Sequence, residues 1–71
     1  MDAPARGGRL VSEADYAAAI SRRAARRDPT LDDRGGIGEV ERWLTPGGEV
    51  CAYLFARYWK GEHDCDHYVI D

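Results

Sequence analysis

The sequence is poor in the residues that mark disulfide-rich, catalytic or membrane proteins. Its 71 residues include two cysteines, two histidines and a single lysine, Lys60. No apolar stretch approaches the roughly 20 residues of a membrane-spanning helix, and the N-terminus Met1-Asp2-Ala3-Pro4 lacks the apolar core of a signal peptide. We therefore expect a cytoplasmic protein that does not bind a membrane.

Charge is modest in amount and unevenly distributed along the chain. The formal net charge of −3 argues against a general nucleic-acid-binding protein. Residues 1–34 hold seven arginines against six acidic residues, whereas residues 35–71 hold three basic residues against seven acidic ones. The acidic C-terminal half favours a protein partner with a basic surface, of the kind that normally grips nucleic acid.

The first part of the chain predicts a tail and a helix. Residues 1–9 have no hydrophobic periodicity, so we expect a flexible N-terminal tail ahead of a single domain over residues 10–71. Leu10–Arg27 predicts the helix, with Ser12 as N-cap and arginines at its C-terminal end, where the helix dipole favours positive charge. Its apolar stripe is mostly alanine and comprises Tyr16, Ala17, Ile20 and Ala24.

After residue 38 the apolar residues recur with the two-residue period of a β-strand. Three strands are predicted, over Glu39–Leu44, Glu49–Trp59 and Cys65–Ile70. The short connections favour an antiparallel meander, and Glu49–Trp59, which is apolar at both odd and even positions, is typical of a central strand. The expected fold class is α+β, with one N-terminal helix packed on a three-stranded antiparallel meander sheet (αβββ).

One helix covers one face of such a sheet, so the other face meets solvent, a second copy of the chain, the tail or a different protein. An alanine-lined helix packs best on large side chains, which favours Leu44, Tyr53 and Phe55 as the core. The opposite face, aromatic with a polar rim, would bind a partner. Its predicted partner-binding residues are Trp43, Leu54, Tyr58 and Tyr68, with Glu39, Glu41 and Asp66 at the rim. A one-residue slip in either hairpin would exchange the faces.

The two cysteines are not expected to form a disulfide. Cys51 and Cys65 fall on neighbouring predicted strands but far apart along them, beyond the roughly 7 Å between Cα atoms that a disulfide can bridge. Two free thiols are typical of a reducing compartment.

Metal binding and nucleic-acid binding remain alternative functions. His63, Cys65 and His67 alternate, so on a strand they would present three ligands to zinc. Zinc sites usually use two separated ligand pairs, however, and a solvated turn with one interior thiol also explains the pattern. The Arg22–Arg27 helix end would contact phosphates, although helix-dipole complementarity and solubility select the same residues.

Catalysis has less support in the sequence. Cys51 has no recognisable orienting group or oxyanion motif. Gly35-Gly36-Ile37-Gly38 is glycine-rich, but it precedes a strand and lacks the Lys-Ser/Thr pair of a phosphate-binding loop. We therefore expect a protein that is not an enzyme and that needs neither a cofactor nor a metal.

In size, charge and predicted architecture, residues 10–71 resemble the small phage-encoded inhibitor proteins, in particular the anti-CRISPR proteins. No motif carries this resemblance, because that group shares none, and no functional residue can be transferred. The resemblance implies stoichiometric inhibition, in which the protein docks on a basic surface of a CRISPR effector complex. Docking there would block target DNA or nuclease recruitment in the host cytosol.

Overall fold

The computed structural model describes residues 7–31, 38–59 and 62–70, and the side chains of residues 57–59, 62 and 63 are outside the description. The described residues form one helix and a five-stranded antiparallel sheet. In chain order the elements are β1 (Arg9–Val11), α1 (Glu13–Arg22), β2 (Arg26–Arg27), β3 (Gly38–Leu44), β4 (Val50–Trp59) and β5 (Glu62–Val69). The strand order across the sheet is β1-β5-β4-β3-β2.

The α+β class and the β3-β4-β5 meander are confirmed, whereas the prediction of three strands is wrong. The two additional strands come from the ends of the predicted helix Leu10–Arg27. Strand β1 pairs with the end of β5, and β2 pairs with the end of β3. Both are edge strands of three residues or fewer, too short to show a strand period in the sequence.

The predicted N-cap is confirmed, although the helix begins at Glu13 rather than at Leu10. Ser12 is the N-cap, and its hydroxyl accepts a hydrogen bond from the backbone N–H of Asp15 at 3.1 Å. Because Ser12 itself is extended, the two residues before it, Leu10 and Val11, continue as strand β1. Residues 1–6 of the predicted tail lie outside the described residues, and the last tail residue, Arg9, belongs to β1.

The helix ends earlier than predicted. Ala24 adopts a left-handed conformation with φ of 49°, and its N–H donates to the Ser21 carbonyl at 3.1 Å. The next N–H, of Ala25, donates to the Ile20 carbonyl at 3.0 Å. This pair of bonds is a Schellman motif, which reverses the chain direction. Residues Arg26–Arg27 therefore leave the helix and pair with β3.

The core lies between α1 and one face of the sheet. Its buried members are Tyr16, Ala19, Cys51, Ala52 and Val69, and the partly buried residues packed against them include Val11, Ile20, Trp43 and Leu54. The small Ala19 and Ala52 let the helix approach the sheet closely, while Tyr16 supplies the bulk. None of the helices in the described residues is long and apolar enough to cross a membrane.

The predicted assignment of the two faces is therefore wrong for β3 and β4. The helix packs on Trp43 and Leu54, and Tyr53 lies on the opposite side. The prediction chose Tyr53 and Phe55 as the large side chains beneath an alanine-lined helix. Trp43 and Leu54 of the sheet, together with Tyr16 of the helix, fill this space instead. On β5 the pairing Tyr53↔Tyr68 puts Tyr68 on the side away from the helix.

Candidate protein-binding surface

We call the sheet side opposite α1 the second face. Its described side chains form two rows across the strands, because residues paired in a sheet point to the same side. The first row is Leu10, Tyr68, Tyr53 and Arg42, and the second is Asp66, Phe55 and Glu39. Asp64 shares the side of Asp66, two residues away on β5. A register irregularity between Glu39 and Glu41 brings Glu39 to the side of Arg42.

The first row runs from a buried centre to an exposed edge. Tyr53 has no exposed surface, and its ring stacks on that of Tyr68 with centroids 5.1 Å apart and planes 11° apart. The Tyr53 hydroxyl donates to the Gly7 carbonyl, so the segment before β1 passes over this part of the face. Tyr68 is half-buried, and Leu10 is 63% exposed, the most exposed large apolar side chain described. An apolar strip thus reaches the sheet edge at β1.

The second row is acidic around an aromatic ring. Phe55 is half-buried and pairs with Asp66 on one side and with Glu39 on the other. Asp64, further along β5, is exposed. The ring of Phe55 with Asp66 and Asp64 beside it combines an apolar contact with negative charge, the complement of a basic protein surface.

Arg42, the cation among the described side chains of this face, is held by two carboxylates. Its Nε donates to Glu39, and its Nη1 lies 3.3 Å from Asp28 Oδ2. The hydroxyl and the backbone N–H of Thr30 donate to the other Asp28 oxygen, at 2.7 and 2.9 Å. These hydrogen bonds from Thr30, with the positive charge of Arg42, lower the pKa of Asp28. Arg42, Glu39 and Asp28 thus form an ion-pair network at one end of the second row, and Asp64 and Asp66 are the acidic side chains described at its other end.

On the helix side, a polar cluster joins α1 to β3. The Tyr16 hydroxyl donates to Glu41 Oε1 at 3.2 Å, and Trp43 Nε1 donates to the same oxygen. Burial, and then the negative charge of Glu41, raise the pKa of Tyr16 well above its ordinary value. The Tyr16 ring also meets His67 edge-on, with centroids 5.0 Å apart. These contacts attach the helix to the sheet.

The predicted partner-binding residues therefore divide between the two sides of the sheet. Glu39, Asp66 and Tyr68 lie together on the second face. The premise that Glu41, Trp43 and Leu54 share that open face is wrong, because they lie at the helix interface. The side chain of Tyr58 lies outside the described residues. Whether any of these residues contacts a partner stays a prediction.

Sequence reasoning missed most members of the second face, including Tyr53, which was assigned to the core. Leu10 was assigned to the helix, although the N-cap Ser12 two residues later is a signal that the chain is still extended there. Phe55 was assigned to the core because an alanine-lined helix was expected to pack on large side chains of the sheet. Asp64 was assigned to a turn, yet β5 begins two residues earlier.

The alternative sites gain no support from the geometry. On an extended strand, positions 63 and 67 are about 13 Å apart, too far to share one zinc ion, and no described side chains form a cluster of three or more potential metal ligands. Cys51 is buried, Cys65 is exposed, and both are free, as predicted. The expected arginine-rich helix end is divided between α1 and β2, so the residues of Arg22–Arg27 do not share one helical edge.

The glycine-rich segment is only partly described. Residues 35–37 of Gly35-Gly36-Ile37-Gly38 lie outside the described residues, and Gly38 begins β3.

No protein-family model matches the sequence, and neither a curated protein nor a solved structure shows significant similarity to the chain.

Proposed function

We propose that the chain is a small, non-catalytic protein-binding module that docks its second face on a basic surface of a partner and occludes it. The carrying observation is the row Asp66, Phe55 and Glu39 beside the half-buried Tyr68, on the side of the sheet away from the helix. Aromatic side chains supply most of the energy in such interfaces, and complementary charge supplies specificity.

Charge favours a different protein over a second copy. Two second faces brought together would bury Asp64 and Asp66 against acidic residues of the other copy. Like charges in a desolvated interface cost free energy, whereas lysines and arginines of a basic partner would relieve it. Homodimerisation is therefore the competing outcome, and it would bury the same aromatic residues.

The resemblance in size and charge to anti-CRISPR proteins makes a CRISPR effector complex the first partner to test. Such a complex has basic channels that hold RNA and DNA, and an acidic module bound there would act stoichiometrically. The proposal places the protein in the cytoplasm, which agrees with its two free cysteines.

The test is a comparative capture experiment with three immobilised baits. Wild-type protein, Tyr68→Arg and Ala18→Arg are each exposed to lysate of a cell that contains CRISPR effector complexes. Both variants add one positive charge, but residue 18 is exposed on α1. The proposal predicts a partner enriched by wild type and by Ala18→Arg and lost with Tyr68→Arg. This partner should lose its nucleic-acid binding at one equivalent of the wild-type protein.

Two results would refute the proposal. One is capture of the same proteins by all three baits. The other is recovery of the chain itself as the sole specific partner, with a wild-type dimer in solution that Tyr68→Arg dissociates.

A further inference from the structure

One sheet edge is only partly covered by a neighbouring strand. β1 pairs with β5 through Val69, Tyr68 and His67, and the chain then turns at Ser12 into α1. β5 continues in the other direction to Glu62. Within the described parts of the chain, no strand pairs with the outer edge of β5 over residues 62–66.

The exposure of the side chains agrees with this topology. Asp64 and Cys65 are both exposed, although β4 pairs with them on their inner side. The part of β5 that extends past its pairing with β1, residues 62–66, is five residues long, or about 17 Å of extended chain. That length equals an average β-strand. The edge thus has room for one additional strand collinear with β1.

We propose that this edge accepts an extended, basic segment of the partner as a sixth strand. The inference rests on the proposed function and deepens it by naming the part of the partner that is bound. Main-chain hydrogen bonds of the added strand supply affinity, and side chains at alternate positions supply specificity.

The acidic residues of this edge favour a basic segment as the added strand. Positions 62, 64 and 66 of β5 are all acidic and alternate along the strand. Residues two apart fall on the same side of a sheet, so a segment with Lys or Arg at every second position would place its cations opposite these positions. Pairs of opposite charge directly across two strands are favourable, and like pairs are unfavourable.

The same pattern disfavours a second copy on this edge. When two identical strands pair antiparallel about a two-fold axis perpendicular to the sheet, even positions face even positions. Acidic residues would then oppose acidic residues along the whole stretch. Charged edges of this kind also protect a sheet against indiscriminate pairing, so the edge disfavours acidic strands and favours basic ones.

The added strand would extend the second face. Position 66 lies at the end of the row Asp66, Phe55 and Glu39. A segment bound beside it would therefore place its basic side chains next to that row. One partner would thus contact both the edge and the second face.

The test uses three five-residue probe peptides, titrated into isotopically labelled full-length protein and followed by amide NMR. The first is acetyl-Arg-Val-Arg-Val-Arg-amide. The second replaces each Arg by Glu. The third replaces each Val by Pro, which keeps the charge but removes the backbone donors at these positions. Binding is measured for wild type, for Asp64→Lys, and for Glu49→Lys, a control with the same charge change at an exposed residue before β4.

The inference predicts that the Arg-Val peptide shifts the amides of residues 63–66 and slows their hydrogen exchange, and that the other two peptides do not. Asp64→Lys should weaken this binding about tenfold, through loss of one cross-strand ion pair and the gain of a repulsive one. Glu49→Lys should leave it unchanged.

The inference would be overturned by equal binding of the Arg-Val and Arg-Pro peptides, by equal binding by wild type and Asp64→Lys, or by no binding of the Arg-Val peptide at all. Shifts confined to Phe55 and Tyr68 would also overturn it, but would leave the proposed function standing. The capture experiment tests the proposed function independently of this inference, because its Tyr68→Arg variant leaves residues 62–66 of β5 unchanged.

Discussion

The rings of Tyr53 and Tyr68 stack on the sheet side opposite the helix, nearly parallel and 5.1 Å apart. One of these rings is wholly buried, and the other is half-buried. The buried ring of Tyr53 therefore contributes to the folded structure, whereas part of the Tyr68 ring is accessible to a partner. Substitutions at the two positions are expected to have different effects.

Tyr53→Ala should destabilise the protein strongly, by about 3–5 kcal/mol, because it removes a fully buried aromatic ring. Tyr68→Ala should cost clearly less, since its ring is only half-buried. Tyr53→Phe removes the hydroxyl that donates to Gly7 and should cost about 1 kcal/mol. Urea unfolding followed by tryptophan fluorescence measures all three free energies. An equal loss for Tyr53→Ala and Tyr68→Ala would contradict the burial of Tyr53.

Ala24→Gly should stabilise the protein by several tenths to about 1 kcal/mol. Residue 24 is left-handed, with φ of 49°, and glycine adopts this conformation without the Cβ penalty, which the greater freedom of unfolded glycine offsets in part. The control is Ala18→Gly, in the exposed interior of the helix, which should cost about 1 kcal/mol. Thermal denaturation should move the two midpoints in opposite directions. Destabilisation by both variants would argue against the Schellman motif.

Gly8→Ala should destabilise the protein more than Gly7→Ala. Both glycines have positive φ, but a Cβ on Gly8 would come within 3.1 Å of the Val69 carbonyl and 3.2 Å of the Ile70 side chain. A Cβ on Gly7 meets nothing within 4 Å. Backbone strain of about 1–2 kcal/mol is common to both variants. The additional loss of stability in Gly8→Ala therefore measures the contact of the new Cβ with Val69 and Ile70. Equal losses in urea titrations would show that the segment does not pack there.

Asp28 should contribute to stability only above acidic pH. Thr30 and Arg42 lower its pKa in the folded state, so the folded protein binds the proton less readily than the unfolded chain. The contribution is therefore complete above the unfolded pKa of about 3.9 and is lost as pH falls through the lower folded value. Asp28→Asn should be less stable than wild type at pH 7, and the difference should shrink below pH of about 4. A difference that is constant from pH 2 to 7 would contradict the lowered pKa of Asp28 and the contacts from Thr30 and Arg42 that cause it.

Local sequence signals predicted the parts of the fold that depend on few residues. The hydroxyl of Ser12 and the acidic first turn mark the helix start, and the Pro-Gly turn after Leu44 marks the first hairpin. Thr45 and Gly48 form that turn with a 2.8 Å backbone hydrogen bond. Each of these features lies within four residues of chain, where sequence and conformation are tightly coupled.

The assignment of faces could not be predicted in the same way. β4 is apolar at odd and even positions, so its sequence does not show which side is buried. Two register irregularities on β3, between Glu39 and Glu41 and between Trp43 and Leu44, change the parity without a clear signal. The sequence also does not show that Ala24 ends the helix, since alanine favours the helix interior.

The claim that the second face binds the partner is tested most directly by a binding isotherm. The captured partner is titrated with wild type, Tyr68→Arg and Ala18→Arg by isothermal calorimetry, after urea unfolding has shown that each variant is folded. The account predicts one-to-one binding by wild type and Ala18→Arg, and a loss of at least about tenfold in affinity for Tyr68→Arg, as expected for an interface hot spot. Unchanged affinity for a folded Tyr68→Arg, or an equal loss for Ala18→Arg, would contradict it.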